Sequence, residues 1–253
     1  MDTLSKSPAR KVFLRADDFG ASPGSNEAII DAIDCRSILN VGVMAVGSSL
    51  DHCLDALIER QDEICIGMHA TINSEWTTTR WGPVAPVDTV SSLVAGDDAF
   101  LKNPKESNER IRLSEMQIEL EAQLAFLRKK GLELSYLDTH MGFQWIEGVD
   151  EWLADFAARE SLIYTELPKW SKIRFKNTPD LRRLQTSALI EKVAAVAGDN
   201  SIWISHPAYP EPVTRSFGQA VSDRRGREAK ILIDPDFQES LQNFQLLLAR
   251  FDD

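Results

Sequence analysis

Cysteine is scarce in this chain: Cys35, Cys53 and Cys65 are the only three among 253 residues. Their odd number and the lack of any C-x-x-C spacing argue against a disulfide framework and against a thiolate metal site, so packing roles are expected. Long hydrophobic runs are missing as well. No stretch approaches the roughly 20 apolar residues that span a bilayer, and the polar start from Met1 to Lys11 lacks the apolar centre of a secretory signal. The expectation is a soluble, cytoplasmic protein with no membrane partner. Positive charge is in deficit, with 28 Lys and Arg against 39 Asp and Glu, and the formal net charge of -11 would repel a phosphate backbone. Nucleic acid is therefore not an expected partner. The chain also has no G-x-S-x-G elbow, no Walker A loop and no H-E-x-x-H helix. Asp18-Phe19-Gly20 spells a kinase tripeptide, but neither an H-R-D loop nor a G-x-G-x-x-G loop accompanies it, so that reading fails.

What is present is enough apolar surface for a core: 43% of residues are hydrophobic and 26% charged. The length suits one large α/β domain over residues 1–253. Short apolar runs recur at Val12–Ala16, Val41–Val46, Ile64–Met68, Leu134–Leu137, Leu162–Tyr164, Ile202–Ile204 and Ile231–Ile233, and they read as buried strands. Between them lie segments of helical period. Leu113, Met116, Leu120, Leu124 and Leu127 mark one, with Ser114 and Gln117 resembling a capping box and Gly131 suited to the left-handed position beyond its end. A last helix is expected from Asp234 and Pro235, with Phe237, Leu241, Phe244, Leu248 and Phe251 on one face. Continuously apolar strands alternating with helices imply a parallel sheet covered on both sides, and seven candidates favour a barrel. Two long connections, from Asn73 to about Lys105 and from Pro207 to about Lys230, are candidates for functional loops.

Three of the four histidines, and one acidic pair, each follow a different apolar run. Asp17 and Asp18 follow the first, His69 the third, His140 the fourth and His206 the sixth. In a parallel α/β fold the carboxyl ends of strands form one face, so these five residues can share a site. One carboxylate and two imidazoles suit zinc or another divalent metal with open positions for water and substrate. Adjacent strand residues point to opposite faces, so Asp17 and Asp18 can meet only if the chain bends there, for which Gly20 and Pro23 are placed. His52, outside the pattern, reads as a surface residue. Trp76 and Trp81 in the first long connection, with Trp170 and Tyr209 later, are candidates for stacking on a ring, against the simpler reading of packing.

Arg15-Ala-Asp-Asp-Phe-Gly-Ala-Ser-Pro-Gly, Gly67-Met-His-Ala-Thr-Ile, Leu137-Asp-Thr-His and Ser205-His-Pro, in this order, resemble the YdjC-like carbohydrate deacetylases. The likeness runs from the first strand to at least Pro207, with Arg225 to Glu228 as a further stretch. The resemblance implies a single-domain, irregular TIM-like (β/α) barrel and removal of N-acetyl groups from a small acetylated amino sugar. It also implies one divalent metal, with zinc favoured and magnesium or another cation open, held by Asp18, His69 and His140. Asp17 takes the place of the general base and His206 that of the histidine beside the reacting group. A homodimer is implied too. Asp138, two residues before His140, is either a partner orienting a ligand or structural. The chain departs from the family where Asp-Ser-His-x-His-x-His becomes Asp138-Thr-His-Met-Gly-Phe-Gln, so Gly142 and Gln144 replace two substrate-facing histidines. Two other readings compete: a metal-containing sugar-binding protein without turnover, and a two-His-one-carboxylate iron enzyme.

Overall fold

In the computed structural model, residues 9–103, 105, 110–173 and 185–253 are described. The first strand, β1 (Arg10–Phe19), is buried without a break from Val12 to Phe19, as expected where both faces are covered. The remaining strands are β2 (Asn40–Val43), β3 (Cys65–Ala70), β4 (Leu134–Thr139), β5 (Ile163–Tyr164), β6 (Ser171–Lys172), β7 (Ser201–Ser205) and β8 (Leu246–Leu248). They form one sheet ordered β5-β4-β3-β2-β1-β7-β6, with β8 beside the first residues of β1. Every pairing is parallel. The helices are α1 (Pro23–Asp34), α2 (Leu54–Ile58), α3 (Leu113–Lys129), α4 (Val149–Arg159), α5 (Thr186–Val196), α6 (Pro212–Ser216), α7 (Gln219–Leu232) and α8 (Asp236–Asn243). None is long and apolar enough to cross a membrane.

The α/β architecture with a curled parallel sheet is consistent with the expected irregular (β/α) barrel, but the described residues do not close it. β5 and β6, two residues each, are the ends of the strand path and do not pair with each other, so the sheet is a curled, parallel half-barrel. Six of the seven expected strands are present. The seventh, Ile231–Ile233, is instead the end of α7, where Ala229, Ile231 and Leu232 are buried. An apolar run of three has no period of its own, so strand and helix are indistinguishable there. The long connection read from Pro207 to Lys230 is correspondingly filled by α6 and most of α7. The expected last helix stops at Asn243; Gln245 turns the chain with φ 55°, and Leu248 falls in β8.

Helix α3 begins one residue before the expected cap. Ser114 lies inside it, and Arg112 at its start makes no side-chain cap, so no capping box forms there. Gly131 does take the left-handed conformation beyond its end, with φ +93°. Three polar side chains of α3 hold the connection after β3 in place. Gln123 exchanges hydrogen bonds with the backbone of Thr71, Glu119 accepts the N–H groups of Val84 and Ala85 at 3.0 and 2.9 Å, and Glu115 accepts that of Ser92 at 2.7 Å. Burial pushes the Glu119 carboxyl up to about 7 against these hydrogen bonds.

Candidate metal centre and its cleft

The carboxyl ends of β1, β3, β4 and β7 meet in a cleft of about 680 Å³. Asp17, Asp18, His69, His140, Gly142, Gln144, Trp76 and His206 all line it. Asp17 and Asp18 share it because Asp18 itself takes the bend, with φ +71°, followed by Gly20 at φ +102° and a register slip between Ala16 and Phe19. Room beside Asp17 comes from Gly42 on β2, where a Cβ would stand 3.1 Å from Asp17 Oδ1.

Three atoms face one another at the cleft floor. Asp18 Oδ1 lies 3.4 Å from His69 Nε2 and 3.3 Å from His140 Nδ1, and those two nitrogens are 3.2 Å apart. Ligands on a tetrahedron with metal bonds of about 2.0–2.1 Å stand roughly 3.3 Å from each other, so the triangle has the dimensions of one face of a zinc site. All three residues are buried, and Asp18 Oδ1 has no hydrogen-bond partner. The outward nitrogen of each imidazole meets a carboxylate, His69 Nδ1 at 3.0 Å from Asp138 and His140 Nε2 at 3.2 Å from Glu75. Carboxylates placed this way fix the ring orientation of metal-binding histidines and raise their basicity. The donor set therefore fits a divalent metal.

The charges respond to this crowding. Burial alone would raise the pKa of Asp18, but the Arg225 guanidinium and contacts from His140 and His69 hold it well below the usual carboxylate range. Burial alone would lower both imidazoles; Asp138 and Asp17 instead hold His69 well above its ordinary value, and contacts with Asp18 and Glu75 bring His140 up to about 9. Arg15, 1% exposed, anchors the acidic wall. Its Nε and Nη2 donate to the two oxygens of Asp17 at 2.6 and 2.8 Å, and Nη2 is 2.6 Å from Asp138. Burial would raise the Asp138 carboxyl, but Arg15 and His69 keep it below its ordinary value.

His206 is partly exposed and sits directly after β7. Its backbone N–H donates to Glu228 at 2.6 Å, and burial pushes its imidazole below the usual value. Gln144 donates to Thr139 Oγ1 at 2.7 Å, and Gly142, at φ +69°, lacks the Cβ that would stand 3.2 Å from Gln144 Oε1. Of the tryptophans, Trp76 lines the cleft with its ring stacked on Phe217 at 4.4 Å. Trp81 does not line it: the side chain is buried, donates Nε1 to Asn73 O at 2.7 Å and stands edge-on behind His140. Trp170 packs against Phe13 and Phe251, Tyr209 bonds to Asp31, and His52 pairs with Glu27 on the surface. Glu75 was not singled out in the sequence, and Arg15 and Arg225 stood there only within family-like stretches, without a role. Arg15 carried a signal, because it lies two residues before Asp17 on a strand and so on the same face.

The family model described as YdjC-like protein matches residues 11–243. The chain belongs to the YdjC-like family. Among curated relatives, a carbohydrate deacetylase of Xenopus laevis is 26% identical over 171 residues, 65% of this chain and 53% of that protein. A carbohydrate deacetylase of Listeria monocytogenes is 25% identical over 256 residues, 96% of this chain and 99% of that one. This YdjC-like chain thus spans about half the length of the vertebrate relatives and nearly all of that bacterial one. Among solved structures, a protein of Enterococcus faecalis V583 described as a cellobiose-phosphate cleavage protein has the same fold, with TM-score 0.78 and 19% identity over 96% of this chain and 98% of that one.

Proposed function

We propose that the chain is a single-domain, metal-dependent hydrolase that removes the acetyl group from the nitrogen of a small acetylated amino sugar. The observation that carries this reading is the triangle of Asp18 Oδ1, His69 Nε2 and His140 Nδ1 on the cleft floor, with a carboxylate behind each imidazole. The names of the curated relatives support the reaction class. Two imidazoles and one carboxylate favour zinc over magnesium, which prefers oxygen ligands. Asp18, His69 and His140 would hold a divalent metal there, which would supply a bound water with its pKa lowered to about 7 and polarisation of the acetyl carbonyl.

The side chains supply the rest. Asp17 is the general base: Arg15 occupies one lone pair on each of its oxygens and fixes its plane, leaving the remaining lone pairs to accept a proton from water. His206, whose neutral form is favoured by burial, takes up a proton from solvent and as imidazolium gives it to the departing amine, while Asp17 returns to solvent the proton it took from water, so that the protons balance over one turnover. Gly142 and Gln144 bind no charge beside the metal, so the substrate preference shifts from diacetylchitobiose toward a sugar with a group that fills the space above Gly142.

Elemental analysis of dialysed protein, coupled to acetate release over a panel of N-acetylated sugars, tests the reading. One metal per chain is expected in the wild type, with reduced content in Asp18→Ala, His69→Ala and His140→Ala. A preferred substrate should reach kcat/KM of about 10⁴ M⁻¹s⁻¹. Full occupancy in all three variants would remove the ligand assignment, and metal-loaded protein that releases no acetate from any sugar would remove the activity. Diacetylchitobiose as the best substrate would remove the role of Gly142 and Gln144.

A further inference from the structure

Helix α7 reaches the reacting centre from outside the sheet through two residues one turn apart. Arg225 Nη2 donates to Asp18 Oδ2 at 2.6 Å, in a pair whose side chains are 4% and 2% exposed. Glu228 Oε2 accepts the His206 backbone N–H at 2.6 Å and the Ser205 hydroxyl at 3.3 Å. Residues at i and i+3 share a helix face, so one face of α7 addresses both β1 and β7. These strands are neighbours, with Ala16 opposite Ser205. A third tie, from Ala208 N–H to Arg225 O at 3.2 Å, fixes the helix to the chain just past His206.

The details show what each contact decides. A carboxylate turns easily about its last torsion. With Oδ2 held by Arg225, the oxygen presented to His69 and His140 is Oδ1, the one without a hydrogen bond. Arg225 gains little from the rest of the fold: its Nε and Nη1 are buried without an acceptor, and its guanidinium rests over the Phe217 ring at 5.5 Å. Burying an incompletely paired cation is costly, so its place is explained by Asp18 and not by general stability. Glu228 in turn fixes the backbone from which the His206 ring projects.

We propose that Arg225 and Glu228 are a pair of positioning residues, by which α7 sets the orientation of the metal-binding carboxylate and the place of His206 relative to it. The proposal rests on the deacetylase reading for His206 but not for Asp18. The two halves have different signatures. Arg225→Ala should weaken zinc binding about 10- to 100-fold, the range for partners that orient a ligand, and should alter the visible absorption spectrum of the cobalt-substituted protein. Arg225→Lys, which keeps a cation for Oδ2, should recover part of the affinity. Glu228→Ala should leave the zinc dissociation constant within about 3-fold of wild type, while kcat per bound metal falls at least about 10-fold with KM within about 3-fold. Glu228→Gln, whose amide oxygen accepts the same N–H, should restore kcat.

Wild-type affinity and spectrum in Arg225→Ala would overturn the first half. Turnover of Glu228→Ala that falls only in proportion to lost metal or lost folded protein, as judged by melting temperature, would overturn the second. A wild type that binds zinc and releases no acetate would reject the deacetylase reading and the Glu228 half with it, while the zinc and cobalt measurements would still decide the Arg225 half.

Discussion

Replacing Arg15 with Met tests the logic of the buried acidic wall. The guanidinium is 1% exposed and serves Asp17 and Asp138, which are 3% and 0% exposed. Methionine fills most of the space but leaves both carboxylates without that cation. Asp138 keeps His69; no other cation is bonded to Asp17 among the described contacts. Removing one partner of a buried ion pair costs about 3–5 kcal/mol. At roughly 2–4 °C per kcal/mol for a chain of this size, the melting temperature should fall by about 6–20 °C. The sign of the pH dependence follows. In the wild type the Asp138 pKa lies below its unfolded value, so its contribution is present above about pH 3.9 and is lost as pH falls. In Arg15→Met the Asp138 carboxyl loses the guanidinium that holds it down and its pKa moves up, so the deficit should be largest near neutral pH and shrink toward about pH 4. Urea unfolding followed by circular dichroism in chelator measures this. Adding Asp17→Asn should recover at least about 1 kcal/mol in a double-mutant cycle. A loss below about 1 kcal/mol, or strictly additive variants, would show that Arg15 is not what makes the two carboxylates tolerable.

Four further outcomes are expected. Asp17→Asn should keep its metal and lose at least about 10²-fold in turnover, since an amide cannot take a proton from water; wild-type turnover at normal metal content would exclude Asp17 as the base. Zinc binding at pH 7 should release at least one proton, because His69 and His140 are held above their ordinary values, the latter up to about 9, and must be neutral to ligate. Calorimetry in two buffers of different protonation enthalpy reads this directly, and identical heats would contradict it. In the metal-free protein the stability from these imidazolium contacts, complete below about pH 6.5, should disappear as pH rises through about 9. Gly67→Ala would put a Cβ 2.3 Å from the buried Tyr136 ring, so a loss of about 1–3 kcal/mol is expected in urea unfolding; unchanged stability would mean that the ring can move.

The residues at strand ends were the most legible part of the chain. Asp18, His69 and His140 could be grouped before any geometry was known, because a parallel sheet sends all its carboxyl ends to one side and each residue followed a distinct apolar run. Their partners were not equally readable. Glu75 lies in a connection with little regular structure, where periodicity says nothing about direction, and Arg225 is on a helix whose end had been read as a strand. Trp81 had two readings in the sequence, ring stacking and packing; its indole donates to Asn73 O inside the protein, a partner that spacing along an irregular connection does not reveal. Closure of the sheet was illegible for a simpler reason, since β6 and β8 are too short to leave a pattern and β5 is barely longer than a bridge.

The hydrogen bonds from α3 to the connection after β3 bear on how this cleft could be redesigned. Carboxylates and an amide on the helix do the work that a neighbouring strand does elsewhere, so the path of the segment bearing Glu75 and Trp76 is written partly in Glu115, Glu119 and Gln123. Grafting that segment alone into a related scaffold would transfer the ink without the template; the helix has to travel with it.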